Sequence, residues 1–301
     1  MLETGLIGSR FLHYIATLSY FGAALFSFYS RPALAPILLR RLRVTAAVCA
    51  LAALLSGALW LLCSVAAMAG SIAAALDPST VLSVLRDTAF GQLWIARALL
   101  GATALLVCIV RLVQPTARVR DVLSVVVAGA LLASLAGTGH TQTAAGATRL
   151  IHMAADGAHL LAAGAWLGGL AALAFLVASS SKVPAGSSHD ILARFSAIGT
   201  AAVLVLIGSG LVNGWLLVGR LGALFETSYG RLLLVKICLF GGMIAIAGLN
   251  RFFLVPKLAT ESESGSPDTL RALRTNIFGE QVLGTLVIVI VSVMGTLPPA
   301  V

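Results

Sequence analysis

Imidazole and carboxylate side chains recur at helical spacing in one stretch of the sequence, His152-x3-Asp156-x2-His159. Steps of four and three residues, at about 100° per residue, set all three within roughly 60° of one stripe. The rise of about 1.5 Å per residue separates His152 from His159 by about 10 Å, too far for both to hold one ion comfortably. Adjacent pairs, His152 with Asp156 and Asp156 with His159, could instead form successive sites, a ladder and not a closed cage. Imidazole with carboxylate suits divalent zinc, copper or nickel, whereas thioether sulfur favours monovalent copper. Met68, Met153 and Met294 fall near the same ends of their segments, so the donor set is compatible with copper. Against this stands the plainer reading, in which the histidines are polar glue between helices and the methionines fill apolar gaps.

Such side chains draw attention because of what surrounds them. Apolar residues make up 59% of the 301 positions and charged ones 10%, with a mean hydropathy of +1.02, whereas soluble domains run near a quarter charged. The composition therefore predicts an all-α polytopic membrane protein. Stretches long enough to cross a bilayer run at about 7 to 29, 43 to 68, 90 to 111, 121 to 138, 150 to 178, 195 to 218, 229 to 249 and 277 to 297. The net charge of +9 gathers in short connections between them, which is a topology signal and excludes a nucleic-acid footprint. Ala33-Leu34-Ala35 mimics a signal-peptidase site, but the preceding run is too long and lacks a basic leader, so a retained first helix is expected. The four cysteines, Cys49, Cys63, Cys108 and Cys238, all lie inside apolar segments and suggest neither disulfides nor a thiolate metal site.

With the amino terminus outside, one side holds Arg31, Arg40, Arg41, Arg43, Arg111, Arg118, Arg120, Lys182, Arg194, Arg251, Lys257, Arg271 and Arg274. The other holds Arg10, Arg86, Arg149, Arg220 and Arg231, while Arg97 and Lys236 lie within helices. By the positive-inside rule both termini are expected outside the cytoplasm. His13, His140, His152 and His159 then fall in the outer half and only His189 is cytoplasmic. Ionisable groups within a bilayer are costly, so this clustering points to function.

The two halves of the chain echo one another. Leu82-Ser-Val-Leu-Arg-Asp-Thr-Ala-Phe-Gly91 matches Leu221-Gly-Ala-Leu-Phe-Glu-Thr-Ser-Tyr-Gly230 at an offset of 139, which also pairs Arg97 with Lys236 and sets Arg10-Phe-Leu-His13 against Arg149-Leu-Ile-His152. A further echo, Ser134-x-x-Gly137-Thr138 and Ser292-x-x-Gly295-Thr296, needs another offset. Two parallel four-helix repeats are expected, at 1–140 and 141–301. Loops 179 to 191 and 257 to 275 read as cytoplasmic connectors. Asp77-Pro78, followed by Val81, Leu82, Val84 and Leu85, reads as a capped amphipathic helix on the outer surface.

A buried cation needs a partner. Asp156 is expected to neutralise Arg97 or Lys236, unless those long side chains snorkel to the interface. Asp87 and Glu226 could gather cations at the outer mouth. Arg194 and Glu280 are expected to pair across the sixth and eighth helices. Gly164, Gly168 and Gly169 around Trp166 offer a small-residue packing surface, and Asn213 an interhelical hydrogen bond.

The series His152-x3-Asp156-x2-His159-x6-Trp166-Leu-Gly-Gly169, Arg194-Phe-Ser196, Tyr229-Gly230 with Lys236, Asn250-Arg251 with Pro256, and Pro298-Pro299 resembles the CopD copper-resistance family of bacterial inner-membrane proteins. That resemblance implies copper movement across the inner membrane towards the cytoplasm, with copper delivered by a periplasmic CopC-like protein. It also implies His152 and His159 as copper ligands. The remaining metal candidates are Asp156, His13, His140 and Met153. No Walker or aspartyl-phosphate sequence occurs, so transport would be passive or gradient-driven. The chain is thus read as an ion carrier and not an enzyme, with room for a homo-oligomer. Two alternatives stay open: a haem-binding electron carrier clamped by His13 and His152, and a copper sensor or scaffold that moves no ion.

Overall fold

The computed structural model describes residues 2–114, 118–138, 146–178, 185–260 and 267–300. Among them, eight helices are long and apolar enough to cross a membrane: Leu2–Ser30, Pro36–Ala69, Ala89–Val113, Arg118–Thr138, Gly146–Leu176, Asp190–Val218, Ser228–Leu258 and Asp268–Met294. They are called the first to eighth helices below. All eight expected spans are present. Several run past the apolar stretch into polar residues, and the seventh and eighth take up much of the expected 257–275 connector. Residues 179–184 and 261–266 of the two connectors lie outside the described residues, as does His140.

Leucine, isoleucine and valine project outward along most helices, as at Leu99, Leu106, Leu204 and Leu211. This apolar outer surface suits lipid and leaves the inward faces to polar and small residues. The first helix is central. It packs on the second, fourth, fifth, sixth and eighth helices, and Tyr20, Ala24, Phe26 and Ser30 on it are completely shielded.

Its crossing with the fifth helix is set by two glycines. A methyl group placed on Gly168 would lie 2.1 Å from the Leu18 carbonyl oxygen, and one on Gly22 would lie 2.1 Å from the Gly168 carbonyl carbon. Only hydrogen fits at either position, so backbones touch there. Gly164–Gly168 is wound as a π turn around the buried Trp166, and a second π turn spans Asn250–Leu254. Of the expected small-residue surface, Gly168 meets the backbone of the first helix, Gly164 faces Leu132 and Phe21, and Gly169 faces Phe195 of the sixth helix.

At the end of the bundle away from the termini, Asp121 accepts from Arg111 at 2.8 Å and Arg31 at 2.5 Å. Arg111 also donates to Ser124 and Ser27. This network, buried except for the partly exposed Arg31, ties the first, third and fourth helices, and both carboxylate oxygens are used. At the terminal end, the Ala300 amide donates to the Leu217 carbonyl, so the carboxyl-terminal segment lies beside the end of the sixth helix.

The surface helix Pro78–Asp87 forms as expected. The Asp77 carboxylate accepts from the Ser79 and Thr80 amides, with proline in the first turn, and Val81 and Val84 pack on Val65, Ala66 and Ala75. Hydrogen bonds from the Ser79 and Thr80 hydroxyls and amides hold the Asp77 carboxyl down at about 2. A lowered folded value means that the cap stabilises above the unfolded carboxylate range and is lost as pH falls through about 2. Asp77→Ala is expected to speed amide hydrogen exchange across residues 78–87 at neutral pH, with the difference from wild type vanishing in strong acid.

Candidate metal path and its counterpart

Two polar centres occupy comparable places in the two halves of the bundle. In the first, His13 Nδ1 lies 3.1 Å from Ser56 Oγ, and Ser56 in turn donates to the Ala53 carbonyl. Arg97 Nη2 approaches His13 Nε2 at 2.5 Å. A guanidinium can only donate, so Nε2 must accept and the ring proton resides on Nδ1, pointing at Ser56. Arg97 Nη1 also donates to Ser134 Oγ and, at 3.3 Å, to the Leu131 carbonyl. Trp60 and Trp94 pack around this imidazole at centroid distances of 5.6 and 6.1 Å. Arg10 and Arg97 lie over those indoles at 5.1 and 5.2 Å.

In the second centre, His159 Nδ1 lies 3.0 Å from Ser209 Oγ. Ser209 spends its own hydrogen on the Val205 carbonyl at 2.5 Å, so it accepts from His159 and fixes the same tautomer. The difference is at Nε2. No side-chain donor occupies it among the described residues, which leaves a lone pair available to a metal.

Asp156 stands one turn from His159, and its Oδ1 accepts from Asn213 at 3.4 Å. The Lys236 ammonium acts electrostatically on both Asp156 and His159, and His152 acts on Asp156 from the other side. The fifth-helix stripe thus runs His152, Asp156, His159, with His152 only 4% exposed. Met153 is half-buried beside it. Among the described residues no three His, Cys, Asp or Glu side chains converge into one cage, which agrees with the spacing of the stripe.

Several expectations are revised by these contacts. Sequence register sets His13 against His152, but the serine contact and the facing basic residue give His13 the surroundings of His159, two turns further along. Arg97 takes no carboxylate and uses neutral acceptors instead; Lys236 is the cation near Asp156, short of a direct ion pair. A haem clamp between His13 and His152 finds no support, since both His13 nitrogens are engaged. Arg194 donates to the Tyr29 carbonyl, and Glu280 accepts from Asn250, so those two do not pair. At the terminal rim Glu226 is bound by Arg220, and this guanidinium holds its carboxyl below the usual range. Asp87 forms no ion pair among the described residues and accepts from Ser83.

Ser56 and Ser209 were not singled out by the sequence, although Ser56-Gly57 and Ser209-Gly210 repeat in otherwise apolar helices, and Ser134 entered only as part of a repeat echo. Gly57 and Gly210 each face the Cε1 edge of the imidazole bound by the preceding serine. Tyr14 was also missed; it lies within electrostatic range of Arg10, Arg97 and Asp156.

Residues 1–150 match the family described as copper resistance protein D-like, N-terminal domain, and residues 189–294 match copper resistance protein D. The chain is 31% identical over 307 residues to the inner membrane protein YebZ of Escherichia coli, covering 99% of this chain and 100% of that one. It is 32% identical over 311 residues to copper resistance protein D of Pseudomonas syringae, covering 97% and 96%. It is 31% identical over 237 residues to the copper transport protein CutJ of Bacillus subtilis, covering 76% of this chain and 40% of that protein. No solved structure matches.

Arg97 binds one imidazole, one hydroxyl and one carbonyl with a planar fork that an ammonium cannot reproduce. Arg97→Lys is expected to leave at least one of these buried acceptors unpaired and to cost about 1–3 kcal/mol, read as a lower melting temperature of the detergent-purified protein.

Proposed function

Because the chain belongs to the copper resistance protein D family, we propose that it carries copper through the second half of its bundle along His152, Asp156 and His159. The observation that carries this reading is the contrast at Nε2. Arg97 covers that nitrogen in His13, whereas in His159 it is clear of side-chain donors and Asp156 stands one turn away. Charge supports the same half. Arg10 and Arg97 flank the first centre with no carboxylate in their contacts, so a cation is repelled there. The second centre has Asp156 to offset Lys236.

The two centres act as divergent versions of one device within two four-helix repeats. The first holds the bundle together, while His152, Asp156 and His159 pass the ion in steps, with Ser209 keeping His159 in the tautomer that presents its lone pair. Met153 lies beside the first step, and His13 stands outside this path. A fixed tautomer favours binding because no proton has to be relocated when the metal arrives.

The excess of basic residues at the end away from the termini sets that end in the cytoplasm. Copper then enters at the periplasmic rim, delivered by a CopC-like copper carrier, and moves towards the cytoplasm. The relatives named for copper resistance and copper transport support copper as the cargo.

His159→Ala is expected to abolish copper accumulation by cells while leaving the protein inserted and abundant; undiminished accumulation would remove the stripe from the mechanism. Ser209→Ala keeps the ligand but frees its ring. It is expected to weaken copper binding by about 10-fold, at the lower end of what loss of an orienting partner costs, read by titration of the purified protein with a competing chelator.

A further inference from the structure

Among the described residues, the half of the bundle away from the termini holds one buried carboxyl group that no ion pair explains. Glu280, on the eighth helix, is 2% exposed and forms no ion pair among the described residues. All its partners are neutral. Asn250 Nδ2 donates to its Oε1 at 2.8 Å, the Trp166 indole hydrogen-bonds the same carboxyl, and Asn276 Nδ2 donates to Asn250 Oδ1 at 2.7 Å. The contrast with Asp121 is direct, since that buried carboxylate is held by two arginines.

Glu280 also lines a cavity of about 220 Å³ between the fifth, sixth, seventh and eighth helices. The cavity wall includes the exposed Arg251 towards the end of the bundle away from the termini, while Leu204 and Phe252 on the same wall face outward to lipid. Arg251, on the seventh helix, is the one other ionisable side chain lining it, and its guanidinium is committed to the Ser196 carbonyl and hydroxyl. The fifth and sixth helices contribute no ionisable group to the wall. Both π turns among the described residues meet here, Trp166 on one and Asn250 on the other. Such turns interrupt regular helix and occur frequently at functional sites.

A carboxyl buried at membrane depth without a cationic partner is stable when it carries a proton, and an accessible cavity lets that proton exchange. We propose that Glu280 is a proton-binding site opening to the side of the bundle away from the termini, and that its protonation is linked to movement of the ion along the fifth helix. Trp166 supplies the link. It follows His159 by seven residues, two turns along the same helix, and its π turn includes Gly168, which touches the first helix. Loss of the Glu280 charge weakens the indole hydrogen bond, because a charged acceptor binds more strongly than a neutral one. The π turn is then free to shift and reposition His159. A proton leaves as a copper ion enters, so the charge carried inward is offset. The linkage rests on the transport reading above; the proton site does not.

The test uses the full chain in lipid. Infrared difference spectra recorded without copper across a titration through neutrality are expected to show a protonated-carboxyl C=O band that is lost in Glu280→Gln. Trp166→Phe keeps the carboxyl but removes a donor, and is expected to displace that band. It serves as the second variant if Glu280→Gln fails to fold. A titration unchanged by both substitutions overturns the proposal. Proteoliposomes holding a pH-sensitive dye, with copper added outside, then test the linkage. Wild type is expected to show proton movement opposite to copper entry, and Glu280→Gln copper entry that no longer responds to pH. Proton counterflow that persists in Glu280→Gln overturns the linkage. A wild type that moves no copper yet shows the Glu280 band refutes the transport reading while upholding the proton site.

Discussion

Charged and polar side chains inside this bundle have no water to turn to, and each must be answered by another group of the protein. That requirement shapes the interior more than apolar packing does, because the outer faces are as apolar as the core and lipid does not drive helices together as water would. The three deeply placed basic residues meet it in three ways. Arg111 takes a carboxylate. Arg97 spreads its donors over an imidazole, a hydroxyl and a carbonyl. Lys236 stands near Asp156 without closing an ion pair. Tightly satisfied groups fix structure, while the loosely satisfied one sits beside the open nitrogen of His159.

The same constraint explains how one local arrangement supports two roles. A serine on the next helix orients the ring in both His13 and His159, and each serine returns its own hydrogen to a backbone carbonyl one turn earlier. What differs is the neighbour at the other ring nitrogen. A planar guanidinium long enough to reach Nε2 closes the first site, and an ammonium engaged electrostatically with a carboxylate leaves the second open. The contrast between the two centres therefore lies in the basic residues facing the rings more than in the histidines themselves.

Close backbone contact between the first and fifth helices carries these two centres side by side. Gly22 and Gly168 permit that contact, and Tyr14 on the first helix packs on Trp60 within electrostatic range of Arg97 and Asp156. At the crossing itself, the π turn Gly164–Gly168 replaces regular helix, and its Trp166 lines the Glu280 cavity.

Eight spans, their order and the capped surface helix were legible in the sequence because each depends on local pattern: twenty or so apolar residues, or Asp-Pro before alternating valine and leucine. The stripe on the fifth helix was legible for the same reason, since helical periodicity alone puts His152, Asp156 and His159 on one face. Tertiary structure decided what faces that stripe. Sequence register matched His13 with His152, yet the contacts resemble those of His159, because helix placement slides one repeat-like segment along another by whole turns without disturbing periodicity. It likewise gave Glu280 to Asn250 and Trp166 instead of Arg194. Which polar groups meet in an apolar bundle is a matter of rotation and depth between helices distant in sequence, and one-dimensional spacing carries no information about either.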